Sequence, residues 1–501
     1  MPHTATLDRQ STGIESLDDV LHGGLPAGHL YLLEGEPGSG KTTLALQYLR
    51  SGLLAGERVL YITLSESKEE LEAVAVSHGW HEKMPVLDMA PVEDAISSQA
   101  QYTVFHPSEI ELADTITELL KRVDDVKPVR CVIDSLSELR MLARDSLRYR
   151  RQILALKRYF SSRNCTVLLL DDRTTDGHDL QLQSIAHGVL MLENLPRDFG
   201  VKRRRLEVRK MRGTRFREGY HDFVIETGGI QVFPRLVASE HKTARNRTSV
   251  PSGLASLDAL MGGGIDTGTS TLLMGPAGSG KSTVALRYVY TAAQRGDFSV
   301  IYVFDEAREL LLDRALGVGL DLRPLVQSGL VRIEQVDPGE LSPGEFVQRV
   351  RRAAERENAK MIVIDSLNGL LLAMPAERLL IIQLHELITF LNQQGTATLM
   401  TLAQQGFMGS NMSSPVDVSY LADSVILFRY YEDAGNVKQA ISAVKKRSGP
   451  HERTIRELSF QGGAVVVGEP LVDFEGVLTG VPKYMGIRNN GQNHNGQSGL
   501  S

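Results

Sequence analysis

Cysteine is nearly missing from this sequence: Cys131 and Cys165 are the only two in 501 residues. Cys131 lies inside an apolar run and Cys165 opens another, so both read as small core residues rather than a disulfide or metal ligands. No zinc-finger cysteine set is present, since the two are 34 positions apart. Aromatic residues make up only 6% of the chain, with Trp80 the single tryptophan, which argues against the stacking platforms of single-strand binders. Positive charge is not in excess either. With 55 Lys and Arg against 61 Asp and Glu, net charge is −6, so the chain does not coat nucleic acid by bulk electrostatics. No apolar run is long enough for a bilayer and no signal peptide opens the chain. The expectation is a cytoplasmic protein with no membrane partner. An apolar content of 42% over this length is enough for two to four full cores.

Glycine is concentrated where it has a use. Gly275-Pro-Ala-Gly278-Ser279-Gly280-Lys281-Ser282-Thr283 matches G-x-x-x-x-G-K-[ST], between an apolar run (Thr271–Met274) and a helical stretch (Thr283–Gln294). That context is what identifies a phosphate-binding P-loop. Gly35-Glu-Pro-Gly38-Ser39-Gly40-Lys41-Thr42-Thr43 repeats it after Leu30–Leu33. In such a loop the backbone N–H groups wrap phosphates and the helix N-terminus adds partial positive charge. Lys41 and Lys281 would reach the outer phosphates, and the Thr42 and Ser282 hydroxyls would hold Mg²⁺.

The chain is a tandem repeat. Lys41 and Lys281 are 240 positions apart, and Gly13-Ile-Glu-Ser-Leu17-Asp18 parallels Gly253-Leu-Ala-Ser-Leu257-Asp258 at the same offset. The runs ending in Asp134 and Asp365, and the pairs Lys210-Met-Arg212 and Lys445-Lys-Arg447, follow in the same order. Within each copy apolar strands alternate with helical stretches, which implies α/β domains with mainly parallel sheets flanked by helices. The expected division is a first domain over 1–238, a linker over 239–249, a second domain over 250–482 and a disordered polar tail over 483–501.

Asp134 and Asp365 each end an apolar run, where a carboxylate can orient water on Mg²⁺ held at Thr42 or Ser282. The alternative is a cap for the next helix. Glu66 in the first copy, and Asp305 with Glu306 in the second, follow the next strand. There a carboxylate can polarise an attacking water or hydroxyl, or merely complement a helix N-terminus beside Glu69, Glu70 and Glu309; residues alone leave these readings even. Lys210 with Arg212, and Lys445 with Arg447, are spaced to share a strand face. A neighbouring subunit's triphosphate could use them as an arginine finger; otherwise they mark a solvated edge strand. The rest of the basic run Lys202–Arg217 reads as surface.

With the P-loops, Asp134-Ser135-Leu136-Ser137-Glu138, Asp365-Ser366-Leu367-Asn368 and the two Lys-x-Arg pairs in view, the chain resembles the KaiC family of double-domain RecA-like ATPases. Gly406-Phe407-Met408-Gly409, His451–Glu457 and Phe474–Pro482 add to the likeness. The resemblance implies two tandem RecA-like P-loop NTPase domains, ATP and Mg²⁺ as cofactors, and a homohexamer with ATP between subunits. It implies slow hydrolysis in the first ring and Ser/Thr autophosphorylation in the second. KaiB-like or two-component-type signalling partners are part of the same expectation. The family's paired glutamates fall on Ser65-Glu66 and Asp305-Glu306, and its phosphorylated pair falls on Ser419-Tyr420, where only Ser419 is a Ser/Thr acceptor. The polar tail is shorter than the segment that binds KaiA, which points to the wider bacterial group of KaiC-type proteins.

Three functions compete on this reading. The first is an ATPase with autokinase activity at Ser419, acting in signalling or timing. The second is an ATP-driven ring that switches partners without a kinase step. The third, ranked last, is a RecA/RadA-like DNA motor.

Overall fold

The computed structural model describes residues 8–89, 107–143, 145–172, 180–196, 200–241, 247–373, 377–404, 418–478 and 482–486. The chain divides into two compact units, Met1–Arg235 with Ser342–Gln348 and Leu236–Leu341 with Arg349–Ser501.

Each unit is built on a nine-stranded sheet of the same topology. In the first, the order is Gly229–Phe233, Tyr220–Glu226, Arg203–Met211, Gly188–Leu195, Leu30–Gly35, Thr166–Asp172, Arg130–Asp134, Val59–Thr63, Val86–Asp88. From Gly188–Leu195 onward the neighbours are parallel; the three strands before it add on antiparallel. The second unit repeats the pattern. Ser424–Asp433, Ser270–Gly275, Ala397–Ala403, Met361–Asp365, Ser299–Val303 and Val331–Gln335 are parallel. Asn436–Lys446, Arg456–Gln461 and Ala464–Pro470 extend it antiparallel. This is the expected pair of RecA-like α/β domains.

The P-loop strand Leu30–Gly35 is buried along its whole length. Its period-2 alternation sends Tyr31 and Leu33 into one core cluster and Leu30 and Leu32 into another. A strand covered on both faces reads as an unbroken apolar run, which is why the sequence shows one. Cys131 and Cys165 are free and buried, as core residues should be.

Several boundaries differ from expectation. The strand beside the P-loop strand runs to Asp172 rather than stopping at Leu170, because its two terminal acids find cationic partners at the sheet's end. Arg212 and Arg447 lie one residue beyond their strands, which end at Met211 and Lys446. Both strands lie inside their sheets, but Lys210 and Lys445 sit at ends paired on one side only: the outer neighbours cover Arg204–Glu207 and Gln439–Ile441. Ser249, the last residue of the expected linker, pairs with Asp266, and Val250, the first of the expected second domain, with Ile265. Lys483–Tyr484 pairs with Phe474–Glu475, carrying order into the first residues of the expected tail. The tail beyond Gly486, and Gly406–Gly409, lie outside the described residues.

Candidate functional site

Both P-loop helices begin at the lysine: Lys41–Leu54 and Lys281–Gln294. Gly40 and Gly280 cap them in the left-handed region, with φ of 103° and 96°. A Cβ at Gly40 would lie 2.7 Å from Ile225 Cδ1, and one at Gly280 would lie 2.5 Å from Phe460 Cζ. Both positions therefore require glycine on backbone and on packing grounds. Lys41 Nζ donates to the carbonyls of Gly35 and Glu36, and Lys281 Nζ to those of Gly275 and Pro276. Each ammonium is thus held across the mouth of its own loop.

In the second unit the loop opens into a cavity of about 450 Å³, whose wall includes Lys281, Ser282, Thr283, Asp305, Glu306 and Asp365. That volume lies in the range of small-molecule sites. Burial pushes the Lys281 ammonium down to about 8, against the opposing pull of Asp365. Thr401 on the adjacent strand donates to Asp365 Oδ1 at 2.5 Å. Ser366 donates to Asp305 Oδ2 at 2.5 Å, and Arg314 reaches both oxygens of Glu306.

The first site uses the same framework with different partners. Asp134 is 6% exposed and accepts from the Tyr61 hydroxyl at 2.6 Å. Burial raises its carboxyl above the ordinary range, with bonds from Tyr61 and Thr42 working against the rise. Thr42 and Asp134, the two residues expected to share Mg²⁺, are therefore neighbours. Lys41 Nζ also lies 2.6 Å from Asp172 Oδ1. In the second unit the matching register position beside the P-loop strand is Ala403: Gly35 faces Asp172 and Gly275 faces Ala403.

Glu66 has one buried carboxylate oxygen, Oε2, with no hydrogen-bond partner. Burial raises its pKa, and Asp134, Glu70 and Asp172 raise it further. The helix-capping alternative is served by Glu70, which closes a capping box with Ser67. Glu66 is left near enough to Lys41 to feel its charge.

A triphosphate with Mg²⁺ fits what is present. The glycine cradles exclude side chains, an ammonium crosses each loop, and a hydroxyl and a carboxylate stand together as hard oxygen donors. An orphaned carboxylate oxygen waits beside the first set. Thr42 with Asp134, and Ser282 with Asp365, would hold the metal. When bound, Mg²⁺ would neutralise charge on the phosphate oxygens.

Comparison with known proteins decides the family. A family model described as "ATPase: KaiC" matches residues 10–237 and again 250–472. The chain belongs to the KaiC family of ATPases. Among similar proteins, the circadian clock oscillator protein KaiC of Thermostichus vulcanus is 27% identical, over 97% of this chain and 93% of its own length. The circadian clock protein KaiC3 of a Synechocystis species is 26% identical, covering 96% of each chain. The KaiC protein of Acaryochloris marina is 26% identical, over 94% and 90%.

As in a KaiC-family ATPase, each unit of this chain carries one nucleotide-binding P-loop. The remaining sequence-derived residues fall away from it. Lys210 Nζ donates to the carbonyls of Gln183 and Ala186, and Arg212 to that of Ser184. Lys445 Nζ donates to Ser419 O at 2.9 Å and Arg447 to Tyr420 O at 3.0 Å. The wall of the second cavity, among the described residues, includes neither Lys445 nor Arg447. The strand cations nearby are paired within the sheet, Arg203 with Asp222 and Arg205 with Glu193.

Sequence reasoning passed over Asp172, Tyr61, Thr401 and Arg314. Asp172 carried a usable signal, since Leu-Leu-Leu-Asp-Asp ends in acid as the Asp134 run does. Arg314 could be found only by setting the copies side by side, where its counterpart is Val74. Nothing local marks Tyr61 or Thr401.

Proposed function

We propose that this KaiC-family ATPase works as a homohexamer, with hydrolysis in the first unit and autophosphorylation of Ser419 in the second. Its expected role is in signalling or timing through protein partners of a KaiB-like or two-component kind. The observation that supports this most directly is the grip of Lys445 and Arg447 on the Ser419 and Tyr420 carbonyls. Cations that could stabilise transferring phosphate are held against the segment that carries the acceptor hydroxyl. If a neighbouring copy docks this segment at its P-loop, charge and acceptor arrive together.

In this reading Glu66 is the first unit's general base, and Asp305 or Glu306 serves the second. Asp134 and Asp365 orient the metal with Thr42 and Ser282. Lys210 and Arg212 complete the first-unit site of a neighbour. Tyr420, beside Ser419, favours the ring switch without a kinase step as the second reading. A DNA motor is disfavoured because strand cations that might meet phosphate are already ion-paired.

The test is native mass measurement with and without ATP, then incubation with γ-labelled ATP and phosphosite mapping. The expected outcome is an ATP-dependent hexamer with label on Ser419, lost in Ser419→Ala and strongly reduced in Arg447→Ala. Hexamers without label would leave the switch reading; monomers hydrolysing at full rate would remove both.

A further inference from the structure

Within the second site, one cation does not belong to the P-loop. Arg314 lies on the helix Arg308–Gly317 and lines the same cavity as Lys281, Ser282 and Thr283. Its guanidinium forks onto Glu306: Nε is 3.3 Å from Oε2, and Nη2 contacts Oε1. A third contact, Nη1 to Thr283 Oγ1 at 3.4 Å, ties it to the start of the P-loop helix. Arg314 therefore stands between a candidate base and the loop expected to carry phosphate.

The first unit provides an internal control. Its helix Lys68–Ser77 matches Arg308–Gly317 at the same offset of 240 that relates Lys41 to Lys281. Val74 occupies the place of Arg314 and packs against the core. There Glu66 keeps an unpartnered buried oxygen. One duplicated framework thus presents its carboxylate free in one copy and clamped in the other.

We propose that Arg314 is a positioning residue of the second site, which holds Glu306 out of action until nucleotide phosphate draws the guanidinium away. This rests on the reading of that cavity as an ATP site. A bidentate guanidinium occupies the carboxylate lone pairs that would accept a proton. Phosphate oxygens in the same cavity carry more charge and suit the same planar fork. Once the fork moves to them, Glu306 is free. As the acceptor oxygen, that of the Ser419 hydroxyl or of water in its place, bonds to the γ-phosphorus, the bond from that phosphorus to the β–γ bridging oxygen breaks. ADP leaves with the electron pair, and the acceptor's proton passes to Glu306. Lys281, Asp305 and Asp365 line the same cavity and set the field in which this exchange occurs. Turnover in the second unit is then gated by nucleotide contact, which the first unit lacks.

The experiment uses the full chain. Binding of a fluorescent ATP analogue in EDTA is read in Lys41→Ala protein, where only the second P-loop keeps its lysine. Steady-state kcat and KM for ATP turnover are read in Glu66→Gln protein. Arg314→Met should weaken binding and raise KM about tenfold, the size expected for a lost charge-assisted hydrogen bond. It should leave kcat within about twofold, because at saturating nucleotide Glu306 is released with or without the fork. Arg314→Lys, keeping charge without the fork, should recover part of the affinity and of KM. Thermal midpoints of both variants exclude a folding defect as the cause. Unchanged affinity and KM, or a kcat that falls as far as kcat/KM, would overturn the proposal. Absence of analogue binding in the Lys41→Ala parent itself would instead overturn the ATP-site reading on which the proposal stands.

Discussion

Lys41 Nζ and Asp172 Oδ1 are 2.6 Å apart, and the corresponding pair in the second unit, Lys281 and Ala403, cannot form the bond. An incoming triphosphate must take the first lysine from a carboxylate that also repels it. Asp172→Asn should therefore tighten nucleotide binding at the first site, by about tenfold for roughly 1.4 kcal/mol. Binding measured without metal in Lys281→Ala protein isolates that site. Weaker binding in Asp172→Asn would show that the carboxylate assists the nucleotide instead.

The raised pKa of Glu66 has a kinetic consequence. Burial and the nearby Asp134 charge keep its proton on to higher pH than for an ordinary carboxylate. A base must be ionised, so first-unit hydrolysis should fall off on the acid side sooner than a standard carboxylate predicts. Glu66→Gln should lower that hydrolysis by about 10²-fold or more while nucleotide still binds. A pH–rate profile of the steady-state ATPase, with and without the substitution, checks both parts.

Lys281 makes the opposite demand on pH. Its ammonium, lowered to about 8 by burial, loses charge as pH rises through that value in the nucleotide-free protein. Affinity at the second site should then weaken progressively above about pH 8, by up to tenfold per unit. Titrations of Lys41→Ala protein with a fluorescent nucleotide between pH 7 and 9.5 would reveal it. A flat profile across that range would count against a depressed lysine.

Gly280→Ala tests the loop's construction. The substitution places a side chain at φ 96° and sets its Cβ 2.5 Å from Phe460 Cζ. The left-handed backbone alone costs about 1–2 kcal/mol, and Phe460 must also move. Lower thermal stability of the second unit and weaker nucleotide binding should appear together. Wild-type values for both would contradict the cradle geometry.

His221 reports on stability rather than chemistry. It is fully buried, its Nδ1 accepts the Arg235 N–H at 2.9 Å, and its Nε2 is 3.0 Å from Arg217 O. Burial lowers its pKa to about 4 from 6.5. The unfolded chain then binds the proton more readily, so this contribution is complete above about pH 6.5 and is lost as pH falls toward 4. The shift corresponds to ~3 kcal/mol. Denaturant melts at pH 7 and 4.5 should show that loss, and His221→Asn should flatten the difference.

The two P-loops, their offset of 240 and the acids ending apolar runs were readable along the chain because each is a local pattern with a local cause. Glycines must stand where backbone approaches phosphate, and a strand covered on both faces must be apolar. Hence the duplicated α/β framework and the nucleotide loops were open to inference before any coordinates. Folding alone settled which carboxylates are free. Glu66 and Glu306 look alike in sequence, yet Arg314 clamps one and Val74 leaves the other open. Asp172 meets Lys41 only because parallel strands bring their ends together. The Lys-x-Arg pairs turn toward the 183–186 and 419–420 carbonyls, a destination no spacing rule contains. Such differences arise between residues distant along the chain, where side-chain charge and packing, not periodicity, select the partner.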